Sequence, residues 1–214
     1  MARLAKTIGL ALALLLALVP VAAEAKVRLF FWSRDSGKYF PHAFVTLKGT
    51  LDATGAPVDT SYGFTLNSVT PIALFAAVPA HVDITSKQYM RPSTAQFELE
   101  ISDAQYQAIV DQAAEWNTKG SRWSLNKRNC VHFVAEVARR AGLNVVEDRK
   151  LMKKPRSFTL SLIPLNPGRV TVIGLTGEQL WAKDPSAENH NVPEKTKGSV
   201  LEREIRGLPA EDAR

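Results

Sequence analysis

Alternating apolar and polar positions mark the strands of this chain. In AQFELEIS, residues 95–102, three apolar side chains alternate with two glutamates, which is the pattern of a half-buried strand. HAFVTL, residues 42–47, alternates in the same way. Further strands are predicted at residues 26–32, 61–66 and 169–175. Residues 68–86 are apolar but broken by two prolines, so short strands and irregular core remain equally open there.

Two helices follow the main run of strands. Ser102 is a good N-cap, Gln105 completes a capping box, and apolar residues then recur at helical spacing as far as Trp116. A second amphipathic helix is predicted from about Cys130 to Ala141, ended by Gly142. Strands first and helices afterwards predict an α+β domain, with a mainly antiparallel sheet packed against helices.

The ends of the chain differ in composition from its middle. Residues 1–25 have two basic residues, an apolar run and Ala-Glu-Ala at the end, which is typical of a secretory signal peptide. The alternative is a membrane anchor, but the run is shorter than the roughly 20 residues of a spanning helix and contains Pro20. We therefore predict an exported domain at residues 26–181, periplasmic or secreted in a Gram-negative bacterium. Residues 182–214 read as a mostly disordered charged tail.

Cys130 is the only cysteine, so it has no partner within the chain for a disulfide. It is predicted to open a helix, where backbone N–H groups favour a thiolate, and Lys127 and Arg128 add positive charge. The alternative is a small apolar residue packed in the core. A nucleophilic cysteine needs a base. His132 should point away on the same helix and His190 lies in the tail, which leaves the His42 and His81 imidazoles.

The segment PHAFVTL, followed about 90 residues later by NCVHFVAEVARRAGL, resembles the circularly permuted branch of papain-like cysteine hydrolases. That branch includes NlpC-type cell-wall peptidases and lecithin:retinol acyltransferase-like proteins. The chain more closely resembles an uncharacterised family of exported bacterial domains, through motifs that span residues 28–143. One departure is Pro41, which stands where glycine is usual before the histidine.

The resemblance implies roles for individual residues. His42 would take the proton from Cys130, whose thiolate would attack an amide or ester carbonyl. Tyr62 or His81 would orient the histidine, and Asn129 would neighbour the oxyanion site. Two further candidates for substrate binding follow from their positions just before Cys130 and not from the resemblance: Trp123, which would line a cleft, and the positively charged Arg128.

The same resemblance leaves the substrate open between peptidoglycan peptides and lipid esters, and we favour the cell wall because of the predicted export. Residues 119–156 contain 11 lysines and arginines against three acidic residues, so an anionic envelope component is the expected partner. Nucleic acid is not expected, and membrane contact would be peripheral at most. No cofactor or metal site is predicted. The alternative function is a non-catalytic envelope binding or scaffold domain on the same fold.

Overall fold

In the part of the chain that the structure describes, seven strands make one antiparallel sheet, and the longer ones form where the sequence alternates or runs apolar. The computed structural model describes residues 26–35 and 41–195. The strands are β1 Val27–Arg34, β2 His42–Thr50, β3 Pro57–Leu66, β4 Val78–Asp83, β5 Thr94–Ile101, β6 Arg122–Trp123 and β7 Thr171–Thr176. Their order across the sheet is β6-β4-β3-β2-β1-β5-β7. The predicted α+β class and the antiparallel sheet are confirmed.

Five helices accompany the sheet in the described ranges. They are α1 Lys87–Met90, α2 Asp103–Trp116, α3 Cys130–Arg140, α4 Pro155–Leu165 and α5 Gly177–Lys183. Short 3-10 turns lie at Pro71–Leu74 and Pro185–Ala187. The predicted capping box of α2 is present, since the Ser102 hydroxyl accepts from the Gln105 N–H and the Gln105 side chain accepts from the Ser102 N–H. Gly142 ends α3 at φ 77°, a left-handed conformation that suits glycine.

The sheet separates two hydrophobic clusters. The inward residues of β1, β2 and β5 pack with α3 and α4, and we call this group the helix-side cluster; it includes Ala43, Phe97 and Cys130. The alternate residues of β1 and β2 face the other way and form the outer cluster, which includes Phe44 and Trp181. Each face of the sheet is thus covered, and the period of two decides which face a residue reaches.

The structure differs from the predictions near the C-terminal end. Residues 148–156 are rich in lysine and arginine, which is typical of a loop, but α4 begins within them, with Pro155 in its first turn. Helix α5 was also missed. The predicted disordered tail from residue 182 is wrong as far as residue 195, because Asn189 is buried and its amide donates to the Leu47 carbonyl at 3.1 Å and to Asp59 at 2.8 Å.

Other predictions concern segments outside the described residues. These are the predicted signal peptide at residues 1–25 and the predicted disordered tail beyond residue 195. In the described ranges, none of the helices has the length and apolar character that a membrane crossing requires.

Candidate functional site

Helix α3 begins at Cys130 because Asn129 caps it. The Asn129 Oδ1 accepts hydrogen bonds from the backbone N–H of Val131 at 2.8 Å and of His132 at 3.2 Å. These are N–H groups that have no partner within a helix, so the cap fixes the starting residue of α3. The predicted position of Cys130 at the helix N-terminus is confirmed.

The amide nitrogen of the Asn129 side chain donates hydrogen bonds to two neighbouring loops. Its Nδ2 donates to the Leu125 and Met152 carbonyls, both at 2.9 Å, and the residue is buried. A side-chain amide has only two N–H donors. Both Asn129 donors are used, so this side chain holds two loops to α3 and has no N–H to offer an oxyanion. Its predicted place beside an oxyanion site stays a prediction, in which the side chain would act as a cap and not as a donor.

The Cys130 thiol is buried among apolar side chains. The residue is 6% exposed, and burial raises the pKa of the thiol to about 11. Backbone N–H groups of Ala43, Val131 and Cys130 itself act in the opposite direction, because they stabilise a thiolate, but they do not offset the burial. The thiol is therefore protonated at neutral pH.

His42 begins β2 and is equally buried, at 6% exposure. Its ring stacks on Phe44, with centroids 6.0 Å apart, and meets the Tyr89 ring edge-on at 6.1 Å. A Cβ on Gly63 would lie 2.9 Å from the His42 Nε2, so the ring needs glycine at that position of β3. Burial lowers the pKa of His42 to about 4, which makes the imidazole neutral at pH 7.

Strand alternation places the two predicted catalytic side chains on opposite faces of the sheet. Ala43 belongs to the helix-side cluster with Cys130, so the ring of the preceding residue, His42, points to the outer face with Phe44. The thiol meets the backbone N–H of Ala43, but among the described residues no hydrogen bond joins the thiol to the imidazole. The expected Cys-His pair is not formed in this structure.

Neither candidate for a third catalytic residue supports such a pair. Tyr62 is half-buried on β3, burial raises its pKa, and its hydroxyl interacts with Thr60. His81 on β4 bonds through Nδ1 to the Asn67 Oδ1 at 2.7 Å, and its Nε2 lies 3.9 Å from an Asp83 carboxylate oxygen. Both side chains are occupied by partners within their own region of the chain.

Trp123 is a core residue. It lies on the short strand β6, pairs with Val78 of β4 and is buried in the helix-side cluster. The expectation that Trp123 lines a cleft is therefore wrong in this structure.

His132 does not simply point away from Cys130 into solvent, as its position on the helix predicts, but has a structural role. Its Nδ1 lies 3.4 Å from the backbone N of Asn129 and 3.0 Å from the Asn129 Oδ1, which closes a capping box around the start of α3. Burial lowers the pKa of His132. The signal in the sequence was the spacing Asn-x-x-His, but capping boxes usually have Glu or Gln at the last position.

Arg128 lies over two aromatic rings. Its guanidinium carbon is 4.1 Å from the Trp116 ring centroid and 5.5 Å from that of Phe64. Its Nε is buried without a hydrogen-bond partner, and no carboxylate in the described part of the chain pairs with it. Nothing in the spacing of Trp116 and Arg128 predicts this contact, which the packing of α2 against α3 produces.

Arg128 belongs to a shallow open depression of about 360 Å³, here called the Arg128 depression. Its lining is Glu115, Trp116, Lys127, Arg128, His132, Glu136, Arg139, Arg140 and Glu147. The three glutamates are all paired with Arg139 or Arg140. The four cations of the lining outnumber the three carboxylates by one, and among the described residues Lys127 and Arg128 have no carboxylate paired with them. The depression is therefore weakly positive, which suits an anion.

Within the described residues, no group of three or more His, Cys, Asp or Glu side chains is arranged to hold a metal ion. A scan against protein-family models and searches of curated proteins and solved structures found no match to this chain.

Proposed function

We propose that this chain is an exported, non-catalytic envelope-binding domain that holds an anionic ligand in the Arg128 depression. The observation that carries the proposal is the half-buried Arg128 guanidinium, which has aromatic rings beneath it and no carboxylate paired with it. Cys130 and His42 are then structural residues of the two clusters.

A partly buried charge without a counterion is costly, and a bound anion would relieve that cost. The guanidinium is planar and presents parallel N–H donors that match a carboxylate or phosphate. Trp116 supports one face of the Arg128 guanidinium, which leaves the edge of the group for a ligand. Lys127 in the same depression adds a second cation.

The carboxylates of cell-wall peptides are the ligand class that fits best. The depression is open and shallow, so it suits one charged end of an extended polymer and not an enclosed small molecule. Export, which the N-terminal sequence predicts, would bring the domain to this polymer.

The neutral state of the thiol and the imidazole supports a binding role over catalysis. Catalysis by a Cys-His pair requires the thiolate, and the pKa values of about 11 for Cys130 and about 4 for His42 favour the uncharged forms. The two side chains also occupy opposite faces of the sheet.

The second candidate function is a thiol hydrolase with the permuted papain-like fold. Two observations favour it: the strand of His42 precedes the helix of Cys130 in the chain, and the Ala43 N–H is directed at the thiol. A thiolate or an oxyanion at that place would be stabilised by the N-terminus of α3. This function would need the His42 ring to move to the helix side of the sheet.

Retention on purified peptidoglycan sacculi tests the binding function. We expect Arg128→Gln to weaken retention of the mature chain about tenfold or more, because a charge-assisted hydrogen bond is lost. Arg156→Gln is the matched control, since it removes the same charge from an exposed residue paired with Asp35. Equal retention of both variants and wild type would show that the Arg128 depression does not hold the ligand.

Thiol alkylation as a function of pH separates the two candidates. A structural Cys130 should react slowly at pH 6, with the rate rising only towards the alkaline range, and His42→Ala should not slow the reaction further. Rapid alkylation at pH 6 that His42→Ala abolishes would establish a thiolate–imidazolium pair and favour the hydrolase.

A further inference from the structure

The loop between β3 and β4 presents large apolar side chains to solvent. Ile72 is 62% exposed, Leu74 43% and Phe75 89%. They lie on and directly after the 3-10 turn Pro71–Leu74. Isolated exposed apolar residues are common, but three within four positions form a patch that needs an explanation.

The backbone of this loop holds these side chains outwards. The Ala73 N–H donates to the Thr70 carbonyl and the Phe75 N–H to the Ile72 carbonyl, which closes the turn. Ala73 is buried and anchors the turn on the helix-side cluster. The exposure of Ile72, Leu74 and Phe75 is therefore a property of a hydrogen-bonded turn.

The loop is free of charge, and its neighbour in the sheet is basic. No Asp, Glu, Lys or Arg lies between Leu66 and Val82. Strand β6 pairs with the strand that follows the loop, and the Arg122 guanidinium donates to the Ala77 carbonyl. Lys119 precedes β6, and residues 116–135 contain no acidic residue at all.

We propose that residues 71–77 dock this protein on an anionic membrane surface. Ile72, Leu74 and Phe75 enter the boundary between headgroups and acyl chains, while Lys119 and Arg122 face the anionic headgroups. An uncharged apolar tip with basic residues at its base has the chemistry of an interfacial anchor. This inference goes beyond the ligand site at Arg128 and does not depend on it.

The charge distribution favours a lipid surface over a second copy of the chain. A symmetric contact between two copies would bring Lys119 and Arg122 towards the same residues of the partner, and like charges would repel. An anionic lipid surface instead complements these cations and receives the apolar tip without a preformed groove.

The opposite edge of the sheet supplies a matched control. Val172 is 61% exposed and lies on β7, the edge strand farthest from β4 and β6. Val172→Glu introduces the same charge as Phe75→Glu at an exposed apolar position, but away from the loop. Variants at positions 75 and 172 therefore separate the effect of location from that of charge.

Vesicle sedimentation of the mature chain tests the proposal. The probes are vesicles of phosphatidylcholine with and without phosphatidylglycerol. We expect binding to the vesicles that contain phosphatidylglycerol, a loss of about tenfold or more in Phe75→Glu, and no change in Val172→Glu. Arg122→Gln should weaken binding at low salt and reduce its salt dependence.

Two further measurements keep the test decisive. Phe75→Trp keeps a large apolar side chain at position 75, so it should bind vesicles like wild type. Brominated lipids should quench the fluorescence of the new tryptophan. Urea unfolding of Phe75→Glu should match wild type, because the replaced ring is exposed. Equal binding of Phe75→Glu and Val172→Glu would overturn the proposal. A dimer in size-exclusion chromatography that Phe75→Glu dissociates, without vesicle binding, would assign the loop to a second copy instead.

Discussion

Arg128 and Cys130 are separated by one residue, and their surroundings are opposite. The Arg128 side chain lies in the open Arg128 depression, where the glutamates are paired with other arginines. The Cys130 side chain is buried in the helix-side cluster. Asn129 between them holds the backbone that directs the two side chains apart. The basic residues next to the cysteine in sequence therefore do not activate its thiol, and burial decides its protonation state.

The difference between the surroundings of Arg128 and Cys130 depends most on Asn129. We expect Asn129→Ala to lower the free energy of unfolding by about 3 kcal/mol, because it removes a helix cap and leaves one buried and one partly buried carbonyl without a donor. Urea denaturation measures the loss. Asn129→Ser, which keeps a capping oxygen, should lose less. A loss below about 1 kcal/mol in Asn129→Ala would show that the Leu125 and Met152 contacts contribute little.

Acid should destabilise the protein through His42. The pKa of this group is lowered from 6.5 to about 4, so the unfolded chain binds the proton more readily than the folded one. Stability is thus fully present above pH 6.5 and should fall by about 3 kcal/mol as the pH drops to 4. Urea unfolding across this window measures the slope, and His42→Gln should flatten it. An unchanged slope in that variant would assign the acid dependence to other groups.

Alkali should destabilise the protein through Cys130. Its pKa is raised from 9.0 to about 11, so the folded state holds the proton more tightly than the unfolded chain. Stability is fully present below pH 9 and should fall by about 2 to 3 kcal/mol as the pH rises to 11. Cys130→Ala removes this dependence in the same assay, whatever it does to stability at pH 7. A wild-type curve that is flat above pH 9 would show that burial does not raise the pKa of the Cys130 thiol.

The smallest effect on stability is expected at Arg128. Arg128→Ala should lower the free energy of unfolding by about 1 kcal/mol, because the stem and the cation–π contacts with Trp116 and Phe64 are lost. Arg128→Lys should lose less. If Arg128→Ala were instead more stable than wild type, burial of the unpaired charge would cost more free energy than the contacts with the two rings contribute.

Local patterns were enough to predict much of the fold. The alternation in β5, the capping box of α2 and the glycine at the end of α3 each depend on residues close in sequence. Helix α4 was missed because its basic N-terminal flank resembles a loop, although Pro155 in the first turn is a start signal.

The site was harder to predict because it depends on contacts between distant segments. The sequence located Cys130 at a helix N-terminus and His42 at the start of a strand, and both positions are confirmed. The face on which each side chain lies follows from how β2 packs against α3. Burial, which shifts both pKa values away from a charged pair, is also set by that packing.

The buried Asn189 has a consequence for how the chain reaches its final state. Its amide donates to carbonyls of β2 and β3, at Leu47 and Thr60, some 130 to 140 residues earlier in the sequence. Contacts of such long range form late, since the intervening chain must first be closed into a loop. The middle of the sheet therefore lacks one of its hydrogen-bond donors until the chain is free to fold as far as residue 189.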